Sequence, residues 1–186
     1  DLSIIDENLK EISDLSGNKG SIVVIKSTVV PGTTETFAKK YSNLRFCFNP
    51  EFLTEANYLE DFVNADRVVI GGEDQDVLRK VQTFYEDRFP EVPVYTSGSK
   101  EAEMVKYANN TWFAAKVVWA NQLYDLCKKV GIDYEQVKEA MAQDKRIGRS
   151  HLDIWHKGYR GYGGKCIPKD VKSLLEYARR NEVDMG

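Results

Sequence analysis

The run Ser21-Ile-Val-Val-Ile-Lys-Ser-Thr-Val-Val-Pro-Gly-Thr-Thr34 carries a complete strand-to-helix transition. Ile22 to Ile25 are continuously apolar, the mark of a short strand covered on both faces. Hydroxyls then cluster at Ser27 and Thr28, and Pro31-Gly32 leads into a helix. Upstream, Ile4, Ile5, Leu9, Ile12 and Leu15 recur at helical spacing and give way to Ser16-Gly-Asn-Lys-Gly20. Downstream, apolar runs at Arg45–Phe48, Arg67–Gly72 and Val92–Thr96 flank a helical pattern from Gln75 to Phe89. Strands alternating with helices predict an α/β fold with a doubly wound, Rossmann-like parallel sheet.

In such sheets ligands bind beyond the carboxyl ends of the strands. Ser27 and Thr28 follow one strand end, and Asn49-Pro-Glu-Phe-Leu-Thr-Glu55 follows another. The hydroxyls serve equally well as caps for the next helix. Glu51 and Glu55, if helical, share one face at four-residue spacing; a solvated acidic helix start explains them as well. Cys47, between Phe46 and Phe48, reads as core packing. A dinucleotide-binding unit needs a G-x-G-x-x-G turn with an acidic residue about 20 positions on. Neither precedes residue 20, so the chain reads as entering in mid-domain.

After Ser97-Gly-Ser99 the texture changes, which divides the chain into residues 1–98 and 99–186. Lys100 to Val130 has no proline or internal glycine and is closed by Gly131. Met104, Val105, Trp112, Phe113, Val117, Trp119, Leu123 and Leu126 make it apolar nearly all round. Such a helix is expected to be buried on several sides, often by a second subunit. Lys106 and Asn110 form a polar pair one turn apart on it; the lysine either meets a polar partner or snorkels outward. Cys127 reads as structural. A further helix from Asp133 to Ala142 starts on a good N-cap, and residues 144–160 read as irregular and partly basic. His151 and His156 lie there without a cysteine or carboxylate at metal spacing, so no metal site is expected.

Gly161-Tyr-Gly-Gly-Lys-Cys-Ile-Pro-Lys-Asp170 places a glycine turn before a helical pattern (Val171, Leu174, Leu175, Ala178). Pro168 suits a helix's first turn. Cys166 therefore falls at a helix N-terminus, flanked by Lys165 and Lys169, a setting that favours thiolate over thiol. Asp170 follows one turn later. A capped helix with an incidental cysteine is the plainer reading; the combination of cations, helix start and loop points to an activated nucleophile.

The 186 residues are 42% hydrophobic and 30% charged, with net charge -3. That supports a real core and gives no electrostatic case for nucleic acid. No apolar run approaches the roughly 18 residues of a membrane span, and no signal-peptide pattern opens the chain. Three widely spaced cysteines argue against a disulfide scaffold. A soluble, cytoplasmic protein with no membrane partner is expected.

Lys26-Ser-Thr-Val-Val-Pro-Gly32, Asn49–Glu55, Glu103-Met-Val-Lys-Tyr-Ala-Asn-Asn110 and Gly161–Asp170 occur in the order found in the UDP-glucose/GDP-mannose dehydrogenase family, which the chain resembles from Ser21 onward. The resemblance is strongest to the family's UDP-glucose-oxidising branch. It implies NAD as cofactor and the four-electron oxidation of a nucleotide sugar's primary alcohol to a carboxylate. By that likeness Cys166 forms a thiohemiacetal and then a thioester, Lys106 steadies the oxyanion beside Asn110, and Asp170 accepts a proton. Glu51 helps activate the hydrolytic water and Thr28 positions it. Substrate contacts fall on Glu51, Phe52, Leu53, Glu55, Lys106, Asn110, Tyr162, Gly163 and, toward a neighbouring subunit, Arg146. Ser27, Glu55 and Lys169 map near the cofactor, and the long helix implies a homodimer.

The resemblance also implies an internal piece: the end of a NAD-binding domain followed by an α-helical central (dimerisation) domain, inactive alone. Lys165 departs from the small residue often found before the nucleophile, and the segment between Arg146 and Gly161 is longer than in many members. UDP-N-acetylmannosamine and GDP-mannose stay open as substrates, and a non-catalytic dimerisation module stays open as a rival class. A plain thiol hydrolase has no histidine near Cys166 in sequence to serve as its base.

Overall fold

The computed structural model describes residues 2–17, 19–54, 57–156 and 158–185. Two compact units divide at Lys106 and Tyr107. The first contains α1 (Ser3–Ser16), β1 (Ser21–Ile25), α2 (Thr33–Lys40), β2 (Leu44–Phe48), α3 (Tyr58–Val63), β3 (Val68–Gly71), α4 (Gln75–Arg88), β4 (Val94–Ser97) and the start of α5 (Ser99–Val130). The strands lie in the order β1-β2-β3-β4.

The α/β class read from the sequence holds, with one difference in the sheet. β1 and β2 pair in parallel, as do β3 and β4, but β2 meets β3 antiparallel at Phe48↔Gly71. Among its described residues the connection between them carries only α3, which buries none of its residues. It does not cover a face of the sheet as a parallel crossover helix must. Strand burial differs too. Phe46 and Phe48 face one apolar cluster with Leu9, Ile25, Phe37 and Val69, while Cys47 faces another with Ile70, Val77 and Val81. So β2 is covered on both faces. β1 is not: it ends the described strand order, and Ile22 and Val24 on its other face are exposed.

In the second unit, the rest of α5 is followed by α6 (Tyr134–Ala142), β5 (Trp155–His156), β6 (Tyr159–Arg160) and α7 (Cys166–Arg180). Asp133 caps α6 by accepting from the Glu135 amide at 2.9 Å. Ala120, Cys127, Tyr134, Leu152 and Ile154 form the core. Residues 144–156 are better organised than their sequence suggests. Lys116 Nζ donates to the Ile147 carbonyl at 3.0 Å, and the Tyr134 hydroxyl donates to that of Leu152 at 2.7 Å. The His151 ring stacks on Phe113 at 4.1 Å with φ at +65°; burial, helped by Lys116 and His156, lowers its pKa. On α5 the side chains of Trp112, Val118, Trp119, Leu126 and Val130 are exposed within this chain, so the expected all-round burial is not met by the chain itself. Among the described residues no helix is long and apolar enough to cross a membrane.

Candidate active site

At the carboxyl ends of β1 and β2 the chemistry centres on Asn49. Its backbone amide donates to the Ile25 carbonyl at 2.9 Å. Its Oδ1 accepts from Lys26 Nζ at 2.6 Å and from the Tyr85 hydroxyl at 2.5 Å, and its Nδ2 donates to the Val69 carbonyl at 2.8 Å. A buried amide with these partners fixes where the following peptide begins. Burial lowers the Lys26 pKa, opposed by the Glu51 carboxylate 3.9 Å away, and burial raises that of Tyr85.

The segment that follows is not helical: residues 51–54 are irregular, and α3 starts at Tyr58. The reading of Glu51 and Glu55 as one helical face is therefore corrected at Glu51. Glu55 lies outside the described residues. The reason is a contact distant in sequence. Lys106 Nζ donates to the Glu51 carbonyl at 2.5 Å, and a carbonyl taken by a side chain is lost to a helical ladder. Thr54, through its amide and hydroxyl, donates to Asp61 Oδ2 at 2.6 and 2.5 Å. Lys106 thus meets a polar partner rather than snorkelling. It also lies 5.8 Å from the centre of the Phe52 ring, with the Arg67 guanidinium 4.4 Å from the same centre. Leu53 is half-buried beside them.

The loop bearing Ser27 (exposed) and Thr28 (half-buried) is anchored at its far end by Glu103. That carboxylate has 0% exposure. It accepts from the Gly32 amide at 2.5 Å, the Thr34 amide at 2.8 Å and the Thr34 hydroxyl at 2.6 Å, capping α2 from α5. Burial raises its pKa above 4.5 despite those donors. Glu103→Ala leaves two buried donors and one half-buried donor unpaired and is expected to lower unfolding free energy by roughly 3 kcal/mol. A raised folded pKa means the contribution is full below the unfolded value and declines as pH rises through the folded one. The wild-type advantage in denaturant midpoint should accordingly be largest at acid pH; an advantage that grows toward neutral pH would contradict this.

In the second unit, the glycine run bends at Gly161 (φ +88°) and Gly164 (φ +75°), and Cys166 is the first residue of α7. Of the three thiols it alone is exposed; Cys47 and Cys127 are buried, and burial pushes the Cys47 thiol up to about 11. Asp170, in the second turn of α7, has 0% exposure. Its Oδ2 accepts from Asn110 Nδ2 at 2.5 Å. Lys169 Nζ lies 2.8 Å from Oδ1 as an ion pair without hydrogen-bond alignment, and that oxygen has no other partner among the described residues. Tyr162 and Gly163 are half-buried, Lys165 exposed. Arg146 is exposed and held by Asp144, Nη2 to Oδ2 at 2.5 Å. Among the described residues no three His, Cys, Asp or Glu side chains gather as a metal site.

Three residues that organise these sites were not singled out from the sequence: Asn49, Tyr85 and Glu103. Glu103 had a signal, a carboxylate in the first turns of an otherwise apolar helix. Asn49 had a weaker one, a polar residue directly after a fully apolar strand. Tyr85 lies on an ordinary amphipathic helix and had none.

Two sequence profiles of the UDP-glucose/GDP-mannose dehydrogenase family match the chain, its NAD binding domain over residues 1–88 and its central domain over residues 100–186. The chain belongs to this family. A UDP-glucose 6-dehydrogenase of Rickettsia bellii is 36% identical over 99% of this chain. The chain spans about two-fifths of the length of such relatives, 42% in that case. Among solved structures, a UDP-glucose dehydrogenase from Pyrobaculum islandicum matches the whole chain and 44% of its own with a TM-score of 0.86 at 34% identity. A GDP-mannose dehydrogenase from Pseudomonas aeruginosa matches 99% of this chain and 44% of its own with a TM-score of 0.69 at 30% identity.

Proposed function

We propose that these residues are part of an NAD-dependent UDP-glucose 6-dehydrogenase, with residues 1–98 in the NAD-binding domain and 99–186 in the central domain. The observation that carries this reading is Cys166: an exposed thiol at the start of α7 behind a glycine turn, with the buried Asn110–Asp170 pair on the same unit. The Ser27 and Thr28 hydroxyls at the end of β1 fit the polar end of a dinucleotide. No G-x-G-x-x-G turn occurs among the 186 residues, so they do not supply its diphosphate cradle. NAD, when bound, accepts one hydride in each of two oxidations.

The first oxidation removes a hydride and a proton from the sugar's C6 alcohol and leaves an aldehyde. Cys166 sulfur adds to that carbon, giving a thiohemiacetal that keeps the aldehyde on the enzyme and presents a second carbinol hydrogen. Its oxidation gives a thioester, and water then breaks the carbon–sulfur bond to release carboxylate and thiol. Lys106 stabilises the developing oxyanion with Asn110, Asp170 takes up the proton, and Glu51 and Thr28 activate and place the water. Phe52, Leu53, Tyr162 and Gly163 line the sugar nucleotide, with Arg146 reaching that of a neighbouring subunit. Ser27 and Lys169 approach the cofactor, Lys169 by exchanging its Asp170 contact. The exposed apolar side chains of α5 form the homodimer contact, and the enzyme is cytoplasmic.

The test is stoichiometric. The full-length protein is given UDP-glucose, UDP-N-acetylmannosamine or GDP-mannose with excess NAD, and NADH is counted per sugar consumed. Two NADH from UDP-glucose are expected, and none from the 186 residues alone. Two NADH from GDP-mannose instead, a reading favoured only by the Pseudomonas likeness, would replace the sugar. One NADH would remove the covalent role of Cys166, and none with any sugar would make this a non-catalytic dimerisation module.

A further inference from the structure

The glycine turn before Cys166 follows directly on the β5–β6 strand pair, and two adjacent residues of β6 grip in different directions. Tyr159 closes on the loop. A Cβ built on Gly163 would stand 2.5 and 2.6 Å from Tyr159 Cε2 and Cζ, so the tyrosine ring occupies the space a side chain there would need. The ring also makes a T-shaped contact with His156, with ring centres 5.9 Å apart. Arg160 grips α5. Its Nε donates to Asn121 Oδ1 at 2.9 Å, its Nη2 to the Asn121 carbonyl at 3.3 Å, and its Nη1 pairs with Asp125 at 2.9 Å. The guanidinium also lies 5.0 Å from the centre of the Tyr124 ring. Four contacts on one turn-and-a-half of a helix use the planar fork, the charge and the face of the guanidinium together.

We infer that β5–β6 is a clamp that positions the Cys166 loop, with Arg160 tying the clamp to α5 and Tyr159 setting the path of the glycines. A turn with two left-handed glycines has many accessible paths of its own, and a nucleophile displaced by 1 Å loses much of its rate. The loop borrows its rigidity from α5 through six residues rather than from its own sequence. Arg160 and Tyr159 are positioning residues and not catalytic ones. The consequence for catalysis rests on the reading of Cys166 as nucleophile; the clamp itself does not.

The experiment uses the full-length enzyme with Arg160→Ala, Arg160→Lys and Gly163→Ala. Gly163 has an ordinary backbone angle, so alanine there displaces the Tyr159 ring without straining the turn. Two quantities are read on each: the rate of Cys166 alkylation by iodoacetamide, resolved by mass spectrometry from the two buried cysteines, and kcat against KM for NADH formation. Arg160→Ala and Gly163→Ala are expected to change the alkylation rate severalfold and lower kcat about 10- to 100-fold, with KM for NAD unchanged. Arg160→Lys keeps the charge for Asp125 but not the fork, and should recover part of both. Thermal midpoints guard against a merely structural loss: a fall in kcat that tracks a fall in folded fraction overturns the inference. So does an unchanged alkylation rate, whatever happens to kcat. Changed alkylation with unchanged kcat leaves the clamp standing and removes the nucleophile assignment instead.

Discussion

Cys166→Ala in the full-length enzyme is expected to lower formation of the carboxylate product from UDP-glucose by about 1,000-fold or more, the scale of losing a covalent nucleophile. The argument starts from exposure. Cys166 is exposed at the first position of α7, whereas Cys47 and Cys127 are packed in cores. Removing an exposed sulfur opens no cavity, so stability should change by less than about 0.5 kcal/mol. Any large loss of rate therefore belongs to chemistry. Alanine is the informative choice because serine would offer a second nucleophile of the same shape. Without a thiohemiacetal, the aldehyde is free to leave after one oxidation, so the residual product should show close to one NADH per sugar rather than two. KM for UDP-glucose should move little, since the sulfur bonds to the sugar only after the first oxidation. Two NADH per sugar at near wild-type rate from Cys166→Ala would defeat the assignment.

How far these features were legible in the sequence depends on whether their cause is local. The strand Leu44–Phe48, the N-cap at Asp133 and the helix start at Cys166 are set by neighbouring residues, and each lies where composition and turn chemistry put it. The long helix was equally plain, since nothing between Ser99 and Val130 breaks it. Directions and partners were not. An apolar strand reads the same in a parallel or an antiparallel pair, so Phe48↔Gly71 left no trace in the pattern. Two carboxylates four apart look helical until a lysine from 55 positions away takes the backbone carbonyl of the first, as Lys106 does at Glu51. Tyr85 reaches Asn49 across 36 positions, and its hydroxyl is indistinguishable in sequence from one that faces water. At the thiol loop the motif drew attention to Cys166, while Arg160, which bonds from β6 to Asn121 and Asp125 of α5, sat in a stretch that read as irregular and basic.

The buried pair Asn110–Asp170 gives the second large effect, and a double-mutant cycle separates its two components. Asp170 is fully buried, and its Oδ2 depends on the Asn110 amide at 2.5 Å. Asn110→Ala deprives a buried carboxylate of that donor and is expected to lower unfolding free energy by about 2–3 kcal/mol. Asp170→Ala removes the acceptor and leaves the amide unpaired, with a cost of similar size. Removing both leaves neither orphan, so the double variant should be more stable than the two single losses predict, by more than about 1 kcal/mol. Additivity within about 0.5 kcal/mol would mean that the short contact contributes nothing net. Catalysis behaves differently if Asp170 accepts the proton. Asp170→Ala alone should reduce kcat about 100- to 10,000-fold, the range for a lost acid–base group, and adding Asn110→Ala to it should lower the rate further, because Asn110 also supports the oxyanion. Asn110→Ala alone should cost less, because Lys169 still pairs with Oδ1. The result that distinguishes a proton acceptor from a packing residue is therefore Asp170→Asn, which keeps the shape and an oxygen for the Asn110 amide: stability near wild type without rate assigns Asp170 to the chemistry, and both near wild type assign it to the fold.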